Sequence, residues 1–271
     1  MSLLLCRQEP VIYPYYIEEL GIHICSSQEL CYVIYNHPLL VMEDFVNERL
    51  ADFLRTELQM PFLAERIVRW IAGHTNTDDM LFTILQECTY YSTQEQARFR
   101  QTVTNLRKMA SNEYEKRRAD YFYTISLYGR AVSMYERILE DGKSRSLPNE
   151  FKSKIWNNIA SCYTKMFCYQ KAMYAYDCAW NEKNDPAYLK NIYFLTLLEP
   201  ELELKEKYRQ MLEAEDTEIW AAEAKKILSE AGMAAPVTRV LQMFEKEPEQ
   251  QLLKAAETVN QWKGQYRKRS M

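Results

Sequence analysis

The chain is poor in the residues that punctuate a backbone and in those that most often do chemistry. Only six Gly and nine Pro are spread over 271 residues. That is too few for a turn-rich β architecture, while Leu, Ala, Glu, Lys and Arg are plentiful, so an all-α class is expected. The glycines Gly21, Gly73, Gly129, Gly142, Gly232 and Gly264 stand so far apart that neither a P-loop nor a dinucleotide fingerprint can be assembled from them. Nucleotide cofactors held by those loops are excluded. The three histidines, His23, His37 and His74, all fall in the first third, with no H-E-x-x-H and no zinc-finger spacing. Seven cysteines are odd in number and contain no C-x-x-C pair, the inventory of a reduced, intracellular protein. No cofactor and no metal are expected.

Long apolar runs are also missing. The best one, Cys31 to Met42, is interrupted by Asn36, His37 and Pro38 and falls short of the ~20 residues that a bilayer requires. Met1 to Cys6 has no basic region ahead of Leu3–Leu5 and no small residue before Cys6, so it does not read as an export signal. A cytoplasmic location with no membrane contact follows as the expectation. The formal charge of −4 hides an asymmetry: residues 1–92 hold 5 Lys/Arg against 13 Asp/Glu, and the remainder 29 against 25. An acidic front third argues against binding a phosphate backbone, so no nucleic acid is expected. The basic tail Lys263, Arg267, Lys268 and Arg269 reads as a solvated helix end whose cations suit the dipole.

What is present is helical. Pro10, Pro14 and the aromatics around them suggest an extended arm, with Ile22–Ile24 as a short strand or turn. Ser26 with Glu29, and Ser92 with Glu95, read as capping boxes in which each Glu returns to the backbone N–H of its Ser. Helices are expected from there to Asn36, from Glu43/Asp44 onward, from Pro61 to Gly73, and from Thr77 to about Cys88. Thr93 to Ser126 contains neither Gly nor Pro, so it should hold one long helix or two with little break. Acidic pairs such as Glu18/Glu19, Glu43/Asp44 and Asp78/Asp79 could in principle supply a general acid and base. Two of them head expected helices, where the dipole accounts for them. His23 with Cys25 and Cys31 lacks a third group to orient a catalytic pair, so no enzyme activity is expected.

A shift of 41 residues lays Ala119 on Ala160, Phe122 on Tyr163, Tyr128 on Tyr169, Arg130 on Lys171, Ala131 on Ala172 and Tyr135 on Tyr176. Small residues let two helices approach to ~8–10 Å, and the aromatics fill the space between neighbouring units. Core filling accounts for the tyrosines better than base stacking does. The excess over a ~34-residue period falls in a linker from Asp141 to Pro148. A third unit, Ala187–Leu198 with Leu202–Leu212, is degenerate, because Phe194 stands where a small residue belongs. Three further helices, Trp220 to Gly232, Pro236 to Phe244 and Gln250 to Trp262, are expected to cap the stack.

Trp156, Ile159, Ala160, Tyr163, Ala172, Tyr176 and Ala179 have the spacing of one helix–turn–helix unit, which resembles a tetratricopeptide repeat (TPR). The resemblance implies an N-terminal helical domain (1–92), TPR-like repeats forming an α-solenoid (93–200) and C-terminal capping helices (201–271). It also implies a protein or peptide partner on the concave face, lined here by Lys154, Asn157, Asn158, Ser161 and Lys165. In TPR domains of the carboxylate-clamp type, Asn158 and Lys116 match two clamp positions. Asp120 stands where that pattern has Asn, and the third unit lacks the matching cations, so a complete clamp is not expected. The implied function is a non-catalytic adaptor or scaffold. The alternative is a regulator in which the repeats close on a signalling peptide and alter the N-terminal domain.

Overall fold

The computed structural model describes residues 10–140, 147–214, 217–245 and 248–270. The segment Met1–Cys6 and the linker residues 141–146 discussed above lie outside the described residues. Among the described residues are fifteen α-helices and one two-stranded hairpin, so the class is all-α. No described helix is long and apolar enough to cross a membrane. The chain divides into two compact units, Met1–Tyr121 and Phe122–Met271.

The first unit opens with an antiparallel hairpin, β1 (Tyr15–Ile17) and β2 (Ile22–Ile24), in the register Tyr15↔Ile24 and Ile17↔Ile22. Its turn needs Gly21, whose φ of 64° is cheap only without a Cβ. Tyr15, Ile17 and Ile24 are buried. The expected extended arm is anchored ahead of the hairpin, where the Ile12 and Tyr13 N–H groups donate to the Glu57 carboxylate at 2.8 and 3.1 Å. Helices α1 (Ser27–Asn36), α2 (Pro38–Val41), α3 (Glu48–Thr56), α4 (Pro61–Ala72), α5 (Thr77–Glu87), α6 (Thr93–Arg107) and α7 (Ser111–Thr124) follow. Their apolar stripes, such as Leu50, Leu54, Ile67, Leu81, Ile84 and Val103, close over the hairpin in one core.

Several expected helix starts shift by a few residues. Ser26 accepts from the Glu29 N–H at 3.1 Å, but Glu29 returns to the Cys25 N–H and not to that of Ser26. Asn47 caps α3 by accepting from the Leu50 N–H at 3.0 Å, so Glu43 and Asp44 lie in the preceding loop and do not open a helix. Asn76 caps α5 through the Asp78 N–H at 3.0 Å, one residue before the expected Thr77. The Ser92/Glu95 box forms in both directions. Thr93–Ser126 resolves into α6 and α7, separated at residues 108–110.

In the second unit the 41-residue shift is written into the backbone. Helices α8 (Tyr128–Glu140) and α10 (Tyr169–Glu182) start 41 residues apart, and α9 (Asn149–Lys165) packs against both. Ser126 and Phe167 occupy the same place in their turns, both left-handed with φ of 64° and 59°. Each turn closes with the same pair of bonds. Leu127 N–H donates to the Phe122 carbonyl and Ser126 N–H to that of Tyr123; Cys168 N–H donates to the Tyr163 carbonyl and Phe167 N–H to that of Thr164. This is the Schellman closure of a helix C-terminus. Over each turn a cation caps an aromatic ring, Arg130 on Phe122 at 6.0 Å and Lys171 on Tyr163 at 5.4 Å. Ala131, Ala160 and Ala172 are completely buried, as close helix contacts require.

The chain continues through α11 (Pro186–Leu198) and α12 (Glu206–Ala214). No left-handed turn joins this pair; Glu199 is extended at φ −136°, and the repeat decays here. Buried Asp177 of α10 gathers the Lys205, Lys207 and Tyr208 side chains, each at 2.7 Å, and so fixes α12 on α10. The last three helices are α13 (Thr217–Gly232), α14 (Ala235–Met243) and α15 (Pro248–Ser270). None of their described residues is buried, and Ile227, Leu228, Leu241, Phe244, Leu252 and Trp262 are among their exposed apolar side chains.

Candidate protein-binding surface

Asn157 and Asn158 are neighbours on α9 and project roughly 100° apart around its axis. They therefore reach different helices. Asn158 Nδ2 donates to the Tyr135 hydroxyl of α8 at 3.2 Å. The Asn157 carbonyl oxygen accepts from Asn191 Nδ2 of α11 at 3.3 Å, and Asn157 Nδ2 lies 3.5 Å from Asn158 Oδ1. The result is a ladder of half-buried amides on α11 and α9 that ends on the buried Tyr135 of α8. An amide carries two donors and an acceptor with two lone pairs, the groups with which a side chain can address a peptide backbone.

The other expected site residues fall around this ladder or away from it. Ser161 turns its hydroxyl back to the Asn157 carbonyl of its own helix at 2.9 Å. Lys165 is exposed in the last turn of α9, where a cation suits the helix dipole. Lys154 is exposed at the opposite end and pairs with Glu150 at 3.0 Å. Lys116 belongs to the first unit and donates to Asp120 at 2.7 Å, so the acid that departs from the clamp pattern neutralises the lysine that matches it. Asn191 and the Tyr135 hydroxyl were not anticipated. A signal for Asn191 did exist: it lies 34 residues beyond Asn157, the ordinary TPR period.

Several acidic, histidine and cysteine side chains of the first unit are engaged by neighbours in the fold. Asp78 is buried and receives a two-pronged bond from Arg107, at 2.8 Å from Nη2 and 3.1 Å from Nε. Glu43 accepts from the Tyr114 hydroxyl at 2.7 Å. His37 shares a 2.9 Å bond with the Tyr121 hydroxyl, and burial lowers its pKa, keeping the ring neutral. Cys25 has its thiol pushed up by desolvation and by the Glu29 carboxylate, the opposite of what a nucleophile needs. No group of three or more metal-ligating side chains occurs among the described residues. Compared with protein-family models, with curated proteins and with solved structures, the chain finds no match.

Proposed function

We propose that the chain is a non-catalytic adaptor or scaffold whose TPR-like repeats hold an extended segment of a protein partner against the first helices of the repeat units, α9 and α11. The supporting observation is the amide ladder from Asn191 through Asn157 and Asn158. It forms a half-exposed row on two helices, anchored on the buried Tyr135 of α8, while the alanines behind it are sealed in helix contacts. Directed amide donors suit an extended backbone, which offers a carbonyl and an N–H at every residue. Repeat stacking fits the recurrence of the Schellman turns, and on this reading α11 and α12 form a degenerate third repeat. Free cysteines at every described position accord with a cytoplasmic home.

The test compares proteins captured from native lysate by the wild type and by an Asn157→Ala, Asn158→Ala variant, quantified by mass spectrometry. The expected outcome is that the captured partner falls by about tenfold or more, equivalent to ~1.4 kcal/mol, while the melting temperature moves only by the worth of an altered hydrogen bond. Unchanged capture would place the partner elsewhere on the molecule.

A further inference from the structure

The turn between α9 and α10 and the C-terminal half of α15 enclose an open groove of ≈ 580 Å³. Three aromatic side chains line it and remain substantially exposed: Phe167 at 69%, Trp262 at 51% and Tyr266 at 45%. Large rings left half in water beside one another mark a surface that something else covers. Phe167 adds a second observation. It sits at the left-handed position of its Schellman turn, φ 59°, where a Cβ is penalised and glycine is the usual solution. The sibling turn places the much smaller Ser126 there. The Phe167 ring meets that of Tyr169 edge-on at 6.3 Å and leaves most of its surface in solvent.

The polar part of the groove has one sign. Lys165, Lys263, Arg267 and Arg269 line it, no acidic side chain does, and none of the four cations forms an ion pair among the described residues. In a chain of net charge −4, a cation-only wall around exposed rings is strongly segregated. Guanidinium forks take carboxylates in a bidentate manner, and the rings with Val259 between them accept a large apolar side chain. A single-stranded nucleic acid would also find rings and cations, but it needs a track several nucleotides long. This groove has the volume of a small-ligand pocket and an aliphatic member in its wall.

We propose that this groove binds an acidic linear peptide segment of a partner protein through an aromatic or branched aliphatic anchor set between carboxylates. The groove contains Lys165 and none of the ladder amides, and its occupant is argued from its own residues. The variants below leave Asn157 and Asn158 intact, so failure here is distinguishable from failure of the adaptor reading.

The test is fluorescence anisotropy on the full chain with a fluorescein-labelled peptide, Glu-Asp-Phe-Glu-Asp-Leu-Glu-Asp. Controls are the same peptide with Ser for Phe and Leu, a version with Lys for every acid, and an oligothymidylate of similar length. Saturable binding of the first peptide, weakened about tenfold or more by the Ser control and absent with the Lys control, is the expected result. Lys263→Glu with Arg267→Glu should weaken it by a similar factor, and both sites are exposed, so folding is spared. Phe167→Gly separates function from folding: it should weaken binding about tenfold while raising the melting temperature by about 2–4 °C through relief of the left-handed turn. No saturable binding, binding unchanged in both variants, or tighter binding of the oligothymidylate would each overturn the proposal.

Discussion

Asp177→Asn is expected to lower the stability of the second unit by about 2–3 kcal/mol at neutral pH, with the loss centred on the contact between α10 and α12. Burial alone would raise the pKa of this carboxylate. Hydrogen bonds from Lys205, Lys207 and Tyr208 more than offset that and hold it at about 2, against an ordinary value of 3.8. A depression of nearly two units corresponds to about 2–3 kcal/mol of preference for the charged form. Asn keeps an acceptor for the Tyr208 hydroxyl but gives up the charge that draws in two lysines. Those lysines are partly exposed and return to water at little cost, so the loss should not exceed this figure. Asp177→Leu is harsher. It also strands the hydroxyl of Tyr208, a residue with no exposure at all, at a further ~1–3 kcal/mol.

The sign of the pH dependence follows from the depressed pKa. The contribution of Asp177 is fully present above about pH 4 and is lost as pH falls from about 4 toward about 2. The gap between wild type and Asp177→Asn should therefore close across that window, and chemical denaturation at a series of pH values measures it. Trp180, whose ring meets that of Tyr208 edge-on at 6.2 Å, is a local fluorescence reporter. A gap that stays constant to pH 2 would show that the charge is not what holds α12.

Periodicity carried much of this fold, because the forces behind it are local. Ala131, Ala160 and Ala172 are legible as close-contact positions since no larger side chain fits there, and the 41-residue offset predicts where the two turns fall. Residues that look locally suited to one role but are recruited by distant partners were not legible. Glu43 and Asp44 have the composition of a helix start, yet Glu43 is drawn to Tyr114, 71 residues away, and α3 begins at Glu48, capped by Asn47. Asp78 has the look of a dipole-compensating acid in the first turn of α5, but Arg107 claims it from α6. On the candidate surface, Asn157 and Asn158 were visible as an amide pair on the expected concave helix, beside Lys154, Ser161 and Lys165. Their partners Tyr135 and Asn191 come from other helices and become visible only once the helices are packed. The groove at Phe167 was missed because ring exposure and turn conformation are absent from a linear pattern. Serine and phenylalanine at equivalent positions gave no warning that both are left-handed.

Arg107→Leu should destabilise the first unit by about 3 kcal/mol. The guanidinium ties two separate pieces of chain to α6. Its fork holds both oxygens of Asp78 on α5, Nη2 also donates to the Met42 carbonyl at 2.9 Å, and Nη1 lies 3.4 Å from Glu43. The Asp78 carboxylate is nearly buried while the arginine keeps more than a third of its surface exposed. Removing the cation strands the buried partner, the more damaging half of a broken pair. Exposure of the arginine brings the expected figure to the lower end of the ~3–5 kcal/mol seen for fully buried pairs. Glu43 loses least, since the Tyr114 hydroxyl still reaches it. Arg107→Lys should recover only part of the loss, because an ammonium cannot span both carboxylate oxygens and a backbone carbonyl in one plane. Asp78→Leu combined with Arg107→Leu should be more stable than the two single losses added together, since the double change leaves no stranded charge. Hydrogen exchange read by mass spectrometry locates the effect: protection should fall at the start of α5 and in the segment around Met42, and hold in α9 and α10. Strict additivity in the double variant would mean that the fork is a surface ornament, with α5 held by the apolar contacts of Met80, Leu81 and Ile84 alone.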